Sequence, residues 1–287
     1  MSDVPHCYRH PDRETGRSCT RCGKPACSEC LVQASVGSHC LECAKAARPD
    51  IKTRAKFWNA RQVTLVTFAL IAINVLVFVY MTIQSSRALT GSANLTESLR
   101  FGLSRDLLRN APPGIPSIPD GLPGQWYRLI SSGFLHYGIF HLGLNMYGLY
   151  VLGQNLEPTL GRTRFALVYV ASLLGGSAGA VLLQPDGLHG GASGAVFGLF
   201  GLITAGYLQR GINPLTTPLG GVLILNVLLS FRGNISFGGH LGGAIAGALC
   251  AIVVTAPRHK QWPTWMTYAT PVAVAALSVA ISVTVAA

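Results

Sequence analysis

Residues 63–83 read VTLVTFALIAINVLVFVYMTI, 21 consecutive positions without a charge. A helix needs about 20 predominantly apolar residues to cross the hydrocarbon core of a bilayer, so the stretch predicts a transmembrane helix. It begins too far from the N-terminus, behind a cysteine-rich head, to be a secretory signal. The composition around it agrees. Of 287 residues only 11% are charged and 49% are hydrophobic, with a mean hydropathy of +0.40, where soluble domains carry roughly 25% charged residues. After Arg128 the charges are Arg162, Arg164, Arg210, Arg232, Arg258, Lys260, Glu157 and Asp186 alone. Such a composition excludes an ordinary soluble domain, a disordered segment and a nucleic-acid binder for this part of the chain.

Working outward, Gln84 to about Gly138 is polar and holds Pro112, Pro113, Pro116, Pro119 and Pro123, which restrict it to a loop with short helical pieces. Further spans are expected at Ile139–Leu156, Phe165–Leu183, Ser193–Leu208, Leu215–Leu229, Phe237–Thr255 and Met266–Ala286. The net charge of +11 is read mainly as topology. Arg48, Lys52, Arg54, Lys56 and Arg61 stand directly before the first span, where basic residues hold a segment on the cytoplasmic side and near anionic lipid. A cytoplasmic N-terminus then puts Arg162, Arg164, Arg210, Arg258 and Lys260 inside. Asp186 and Arg232 fall outside, with Arg87, Arg100, Arg105, Arg109 and Arg128 in the long outer loop, where the rule is weaker. Seven spans carry the C-terminus to the outside, and the expected location is the plasma membrane.

Seven of the eight cysteines lie between Cys7 and Cys43, while Cys250 falls inside a span. They form one C-x2-H pair, Cys7 and His10, and three C-x2-C pairs: Cys19 and Cys22, Cys27 and Cys30, Cys40 and Cys43. Four pairs supply ligands for two tetrahedral zinc ions. A segment of some forty residues cannot fill a core of its own, so metal would staple it. A disulfide framework fits less well, since the head is expected in the reducing cytoplasm. The head resembles B-box or RING-like cross-brace modules, in which alternate pairs cooperate. That resemblance implies one site of Cys7, His10, Cys27 and Cys30 and another of Cys19, Cys22, Cys40 and Cys43, with His6 and His39 as spare ligands. Filled sites of this kind are structural, and the module would dock a protein partner or regulate.

Polar residues within spans are costly and default to function. Here they are His141, Asn145, Ser193, Asn226 and His240. His141 and Asn145 are four apart and share a helix face. Ser193 opens its span within GGASG (190–194), and His240 lies in GGHLGG (238–243). The second, fourth and sixth spans run from outside to inside, so these four side chains reach one depth in the outer half of the bilayer. A serine with a base and nearby hydrogen-bond donors meets the needs of nucleophilic hydrolysis. Gly239, Gly243 and Gly247 repeat every four residues, as do Gly190, Gly194 and Gly198, and such faces let membrane helices pack backbone to backbone. Asn226, on an oppositely directed span, is read as interhelical glue. Ala195 and the lack of a preceding strand exclude an α/β-hydrolase elbow.

These residues together resemble the rhomboid family of intramembrane serine proteases. Gly191-Ala192-Ser193-Gly194 is similar to its GxSG motif. His240 with Gly243 and Gly247 is similar to its histidine and glycines on the sixth span, and His141 with Asn145 to its HxxxN pair. Trp126-Tyr127-Arg128 and Ser132-Gly133-Phe134-Leu135-His136 are similar to its segment entering the second span. The resemblance covers about Val63 to Thr255 and implies an all-α polytopic bundle of six transmembrane helices, leaving a seventh at the C-terminus. It implies a dyad of Ser193 and His240, with His141, Asn145 and the Ser193 N–H around the oxyanion. Phe197 stands where the family often has Tyr packed on the base. No cofactor is implied for catalysis, and the substrates implied are transmembrane helices cut near their outer ends. The division expected is 1–46 zinc module, 47–62 basic linker, 63–255 protease core and 256–287 additional helix. A non-catalytic relative that escorts membrane clients would lack Ser193 or His240, and a transporter would line a full pathway with polar residues.

Overall fold

A computed structural model describes residues 4–34, 36–47, 64–90, 95–110, 125–217, 220–221, 224, 236–256 and 262–286. The chain divides into two compact units, Met1–Gln62 and Val63–Ala287.

The first unit is built from two small antiparallel hairpins and a short helix. Strand β1 (His6–Cys7) pairs with β2 (His10–Glu14), and β3 (Leu31–Gln33) pairs with β4 (Ser38–Cys40), which runs into α1 (Leu41–Ala46). Its apolar core is Cys7, Ala26 and Cys30 with Tyr8, Cys27 and Leu31 packed on it. Half of that core is cysteine, so too little hydrocarbon is buried to hold the unit by itself.

The second unit is helical. Helix α2 (Leu65–Gln84) is followed by the short helices α3 (Leu95–Phe101), α4 (Arg105–Arg109) and α5 (Arg128–Ser131). The long helices are α6 (Ile139–Leu160), α7 (Arg162–Leu183), α8 (Ser193–Leu208), α9 (Phe237–Val254) and α10 (Met266–Ala286). Among the described residues, α2, α7, α9 and α10 are long and apolar enough to cross a membrane. Helix α8 is apolar but has 16 residues. Helix α6 has 22 residues but dilutes its apolar run with His141, Asn145, Gln154, Asn155 and Glu157. It also extends past the expected Leu156 to Leu160, taking Pro158 into its last turn. The expected span Leu215–Leu229 lies mostly outside the described residues, as do Asn226, the prolines at 112–123 and the basic linker.

Helix α7 is the centre of the bundle: 72% of its apolar window is buried, against 22% for α2 and for α10. Helices α8, α9 and α10 pack on it, and α2 packs on α6. Phe165, Val168 and Tyr169 of α7 meet Leu199 and Phe200 of α8 and Leu149 and Leu152 of α6 in one core. The outward residues of α2, among them Phe68, Leu76 and Ile83, are exposed, an apolar face suited to lipid contact.

Polar anchors fix the periphery. Glu157, 1% exposed, accepts the N–H groups of Val66 (2.9 Å) and Thr67 (2.8 Å) and the Thr67 hydroxyl (2.7 Å). An anion thus caps the first turn of α2, where unpaired donors and the helix dipole favour one. Arg128, fully buried, donates from Nη1 to the carbonyls of Leu99 (2.6 Å) and Gly102 (2.8 Å). Tyr127 Oη donates to the Arg100 carbonyl and Ser131 Oγ to the Phe101 carbonyl, each at 2.8 Å. The C-terminal end of α3 is therefore moored to the segment Tyr127–Ser131.

Candidate active site and metal-binding groups

Helix α8 begins at Ser193. Its first internal bond runs from Val196 N–H to the Ala192 carbonyl, 3.0 Å. The N–H groups of Ser193, Gly194 and Ala195 therefore have no helical partner, and the positive end of the helix dipole lies at the serine. The chain reaches this point through Gly191, whose φ is +127° and whose N–H donates to the Ser132 carbonyl at 2.9 Å. Ala192 N–H donates to His136 Nε2 (3.4 Å), while His136 Nδ1 faces the Phe134 carbonyl at 3.3 Å, which assigns that ring's proton to Nδ1.

His240 lies in the first turn of α9, buried, with Phe197 stacked on it, ring centroids 3.9 Å apart and planes 11° apart. Close helix approach brings this histidine and Ser193 into one region. A Cβ on Gly176 of α7 would lie 2.9 Å from Gly194 Cα and 3.1 Å from the Gly239 carbonyl oxygen. The residue after the serine and the residue before the histidine thus border one point on α7. Below it, added side-chain atoms at Gly243 and Gly247 would strike the carbonyls of Gly194 and Gly198.

His141 is oriented by Tyr137, whose N–H donates to Nδ1 at 3.3 Å. The neutral ring then carries its proton on Nε2. That nitrogen faces the serine loop: a Cβ on Gly191 would lie 2.8 Å from His141 Nε2 and 3.7 Å from Ser193 Oγ. Asn145 is buried one turn along and donates from Nδ2 to the His141 carbonyl, 2.9 Å, leaving the amide a second N–H. Beside Ser193 is a cavity of about 30 Å³ whose lining includes Ser132, His189, Gly191, Ser193, Gly194 and Ser236, roomy enough for a water or two. Ser193, His240, Phe197, His141 and Asn145 are therefore gathered at one end of the bundle. They bring together a half-buried serine hydroxyl, a buried imidazole stacked on a ring, and several N–H donors.

One expectation is corrected. Gly190 is not on the α8 face with Gly194 and Gly198, because the helix starts at Ser193; Gly190 is a loop residue against Tyr137, whose Oη would lie 2.8 Å from an added Cβ. Sequence reading also missed a second glycine seam. Gly175 and Gly179 of α7 meet Gly238 and Gly242 of α9 backbone to backbone. The four-residue spacing within each pair is its signal. His136 appeared only as part of an entry segment, with nothing in the sequence to reveal its bond to Ala192.

In the first unit the ligand atoms of Cys7, His10, Cys27 and Cys30 lie within 4.8 Å of one another, as do those of Cys19, Cys22, Cys40 and Cys43. These are the alternate-pair sets, and His6 and His39 stand outside both. Tetrahedral zinc with bonds of roughly 2.3 Å to sulfur requires sulfurs about 3.8 Å apart. Cys22 and Cys40 Sγ are 3.7 Å apart, and His10 Nδ1 is 3.8, 3.4 and 3.5 Å from the sulfurs of Cys7, Cys27 and Cys30. The donor sets and spacings fit such an ion. None of the eight cysteines is in a disulfide.

Electrostatics point the same way. Desolvation opposes the Cys7 thiolate, but backbone N–H groups of Cys27, Arg9 and His10 outweigh it and bring Cys7 down to about 6. Desolvation and the thiols of Cys27 and Cys7 push Cys30 up to about 11. In the other group, Cys19 falls to about 6 because backbone N–H groups of Cys40, Cys22 and Arg21 outweigh desolvation. Hydrogen bonds to Cys22 and Cys40 push Cys43 up to about 12. Each group favours ionising part of its thiols, Cys7 and Cys27 in one and Cys19 in the other, and resists ionising Cys30 or Cys43, a conflict that a bound cation relieves.

The class is defined by an all-helical membrane bundle that gathers Ser193, His240, His141 and Asn145, in a chain that also carries a small Cys/His-rich unit. Comparison with known families identifies a Rhomboid domain at residues 123–257. The chain is 36% identical over 146 residues to YdcA of Bacillus subtilis (strain 168), covering 72% of that protein and 48% of this one. It is 29% identical over 211 residues to Rhomboid protease GluP of the same organism, covering 38% of GluP and 72% of this chain. RHOMBOID-like protein 5 of Arabidopsis thaliana is 36% identical over 138 residues, 45% of its length and 46% of this chain. This chain belongs to the rhomboid family. It spans less than half the length of the latter two relatives.

Proposed function

We propose that the protein is an intramembrane serine endopeptidase that cleaves transmembrane helices near their outer ends with a Ser193–His240 dyad. The observation that carries this reading is the serine at the N-terminus of α8 in the same region as a buried imidazole stacked on Phe197. Ser193 Oγ attacks the scissile carbonyl while His240 takes its proton, and His240 returns that proton to the leaving amine. The oxyanion is met by the Ser193 N–H, by His141 Nε2–H and by the second N–H of Asn145, fixed donors aimed at developing charge. Water then hydrolyses the acyl-enzyme, with the cavity beside Ser193, edged by Ser132, His189 and Ser236, as its reservoir. A substrate helix must unwind to offer its carbonyl, which favours small or helix-breaking residues at the cut.

The head, residues 1–46, is read as a structural zinc module that contacts a protein partner, followed by the basic linker 47–62, the protease core 63–255 and an added helix 256–287. The N-terminus is cytoplasmic and the C-terminus outside, in the plasma membrane; the basic linker before α2 supports this.

The test is cleavage of a reporter transmembrane helix by the full chain in liposomes. Wild type is expected to cut it and Ser193→Ala to stop. Cleavage that persists in Ser193→Ala overturns the dyad. Binding of helices without cleavage by a folded wild type turns the reading to a client-binding relative.

A further inference from the structure

Gln184 follows the last residue of α7 and takes no part in the proposed chemistry, yet it ties together the two segments that carry it. Its side chain reaches α9: Oε1 accepts the N–H of Gly238 at 2.8 Å, two residues before His240. Its main chain holds the turn leading to Ser193. The Gln184 carbonyl accepts Gly187 N–H at 3.1 Å and faces His189 Nε2 at 2.8 Å. His189 is itself clamped to the outer loop, with Leu103 N–H to the His189 carbonyl at 3.0 Å and His189 N–H to the Leu103 carbonyl at 2.7 Å. It also lines the cavity beside Ser193.

The physical need for such a tie comes from the start of α9. The first N–H groups of a helix lack internal partners, and here Gly238 and Gly239 carry no side chains with which to lock the turn. Ser236 Oγ takes the N–H of Gly239 at 3.1 Å, and Gln184 takes that of Gly238. The glycine seam against α7 admits close approach but offers few interlocking side-chain atoms to stop α9 from sliding along its axis. A directional hydrogen bond at its first turn does that.

Resting on the dyad reading, we propose that Gln184 is a positioning residue that holds His240 in register with Ser193, acting through the N-terminus of α9. The requirement is for an acceptor atom at the end of a side chain of this length. Gln184→Met keeps the length and removes the acceptor. Gln184→Glu keeps an acceptor oxygen whether or not it is ionised, and a negative charge there suits the helix N-terminus.

The experiment uses the full chain in liposomes and follows the labelling rate of Ser193 by a fluorophosphonate probe, kcat and KM for the reporter helix, and thermal unfolding. Gln184→Met is expected to lower both the labelling rate and kcat about tenfold or more, since small misplacements of reacting groups carry such costs, with KM little changed. Gln184→Glu is expected to recover most of both rates, and the two variants are expected to melt together. Labelling of Gln184→Met at the wild-type rate overturns the proposal, as does a Gln184→Glu variant that falls as far as the Met variant. A folded wild type that neither labels nor cleaves is a different failure: it removes the dyad reading, and this inference with it.

Discussion

Gly191 shows how much one backbone position carries. Its φ of +127° lies where a side chain is strained, and a Cβ would press 2.8 Å from the His141 ring. Gly191→Ala is expected to destabilise the protein by more than about 1 kcal/mol, as alanine does at positive φ, and to abolish Ser193 labelling; thermal unfolding and probe labelling check both. His141 offers the complementary case. With Tyr137 N–H on Nδ1, its Nε2–H is the donor facing the serine loop. His141→Ala is expected to reduce kcat by about 10²–10³-fold, the usual cost of a lost oxyanion donor, with KM nearly unchanged in liposome kinetics. The polar residues of this site were legible because each stands out within an apolar span. The tautomer of His141 and the bond from Ala192 to His136 were not, since both depend on backbone from a different segment.

At the scale of elements, α9 presents glycine to two neighbours at once, Gly243 and Gly247 to α8 and Gly238 and Gly242 to α7. The α8 seam could be read from four-residue spacing. The second seam escaped because spacing alone does not say which neighbour a face meets. Gly247→Leu would drive a side chain into the Gly198 carbonyl, and about 1–3 kcal/mol of lost stability is the expected cost of such overpacking. Thermal unfolding in detergent measures it, with a parallel loss of Ser193 labelling because the helices carrying Ser193 and His240 separate. Glu157 illustrates what a count of charges misses. In the sequence it is only one of the few charges after Arg128, whereas its two oxygens cap α2, 90 residues away in sequence. Glu157→Gln leaves only one acceptor oxygen for donors that now share two, and about 1–3 kcal/mol is the expected loss.

For the whole molecule, the two units are expected to respond separately to metal. A metal assay on protein purified under reducing conditions should find two zinc ions per chain. Removing them with a chelator should unfold residues 4–47, measured as new protease sites in the head, while the helical signal of the second unit persists. Binding should also depend on pH with a definite sign. Cys30 and Cys43, pushed up to about 11 and 12 without metal, hold their protons at neutral pH, and zinc must displace them. Affinity is therefore expected to rise with pH, and uptake at pH 7 to release protons, which calorimetry in buffers of different ionisation enthalpy would detect. Helices long enough to cross a bilayer, the paired ligand spacing and the few polar residues in apolar surroundings were determined by the sequence itself, because each is a local pattern of residue type. Which glycine meets which carbonyl, which N–H orients which imidazole, and the joining of Ser193's turn to the start of α9 by Gln184 were decided only in the tertiary structure. They depend on atoms distant in sequence approaching within a hydrogen-bond length or a backbone contact, and no periodicity along one segment encodes its partner on another.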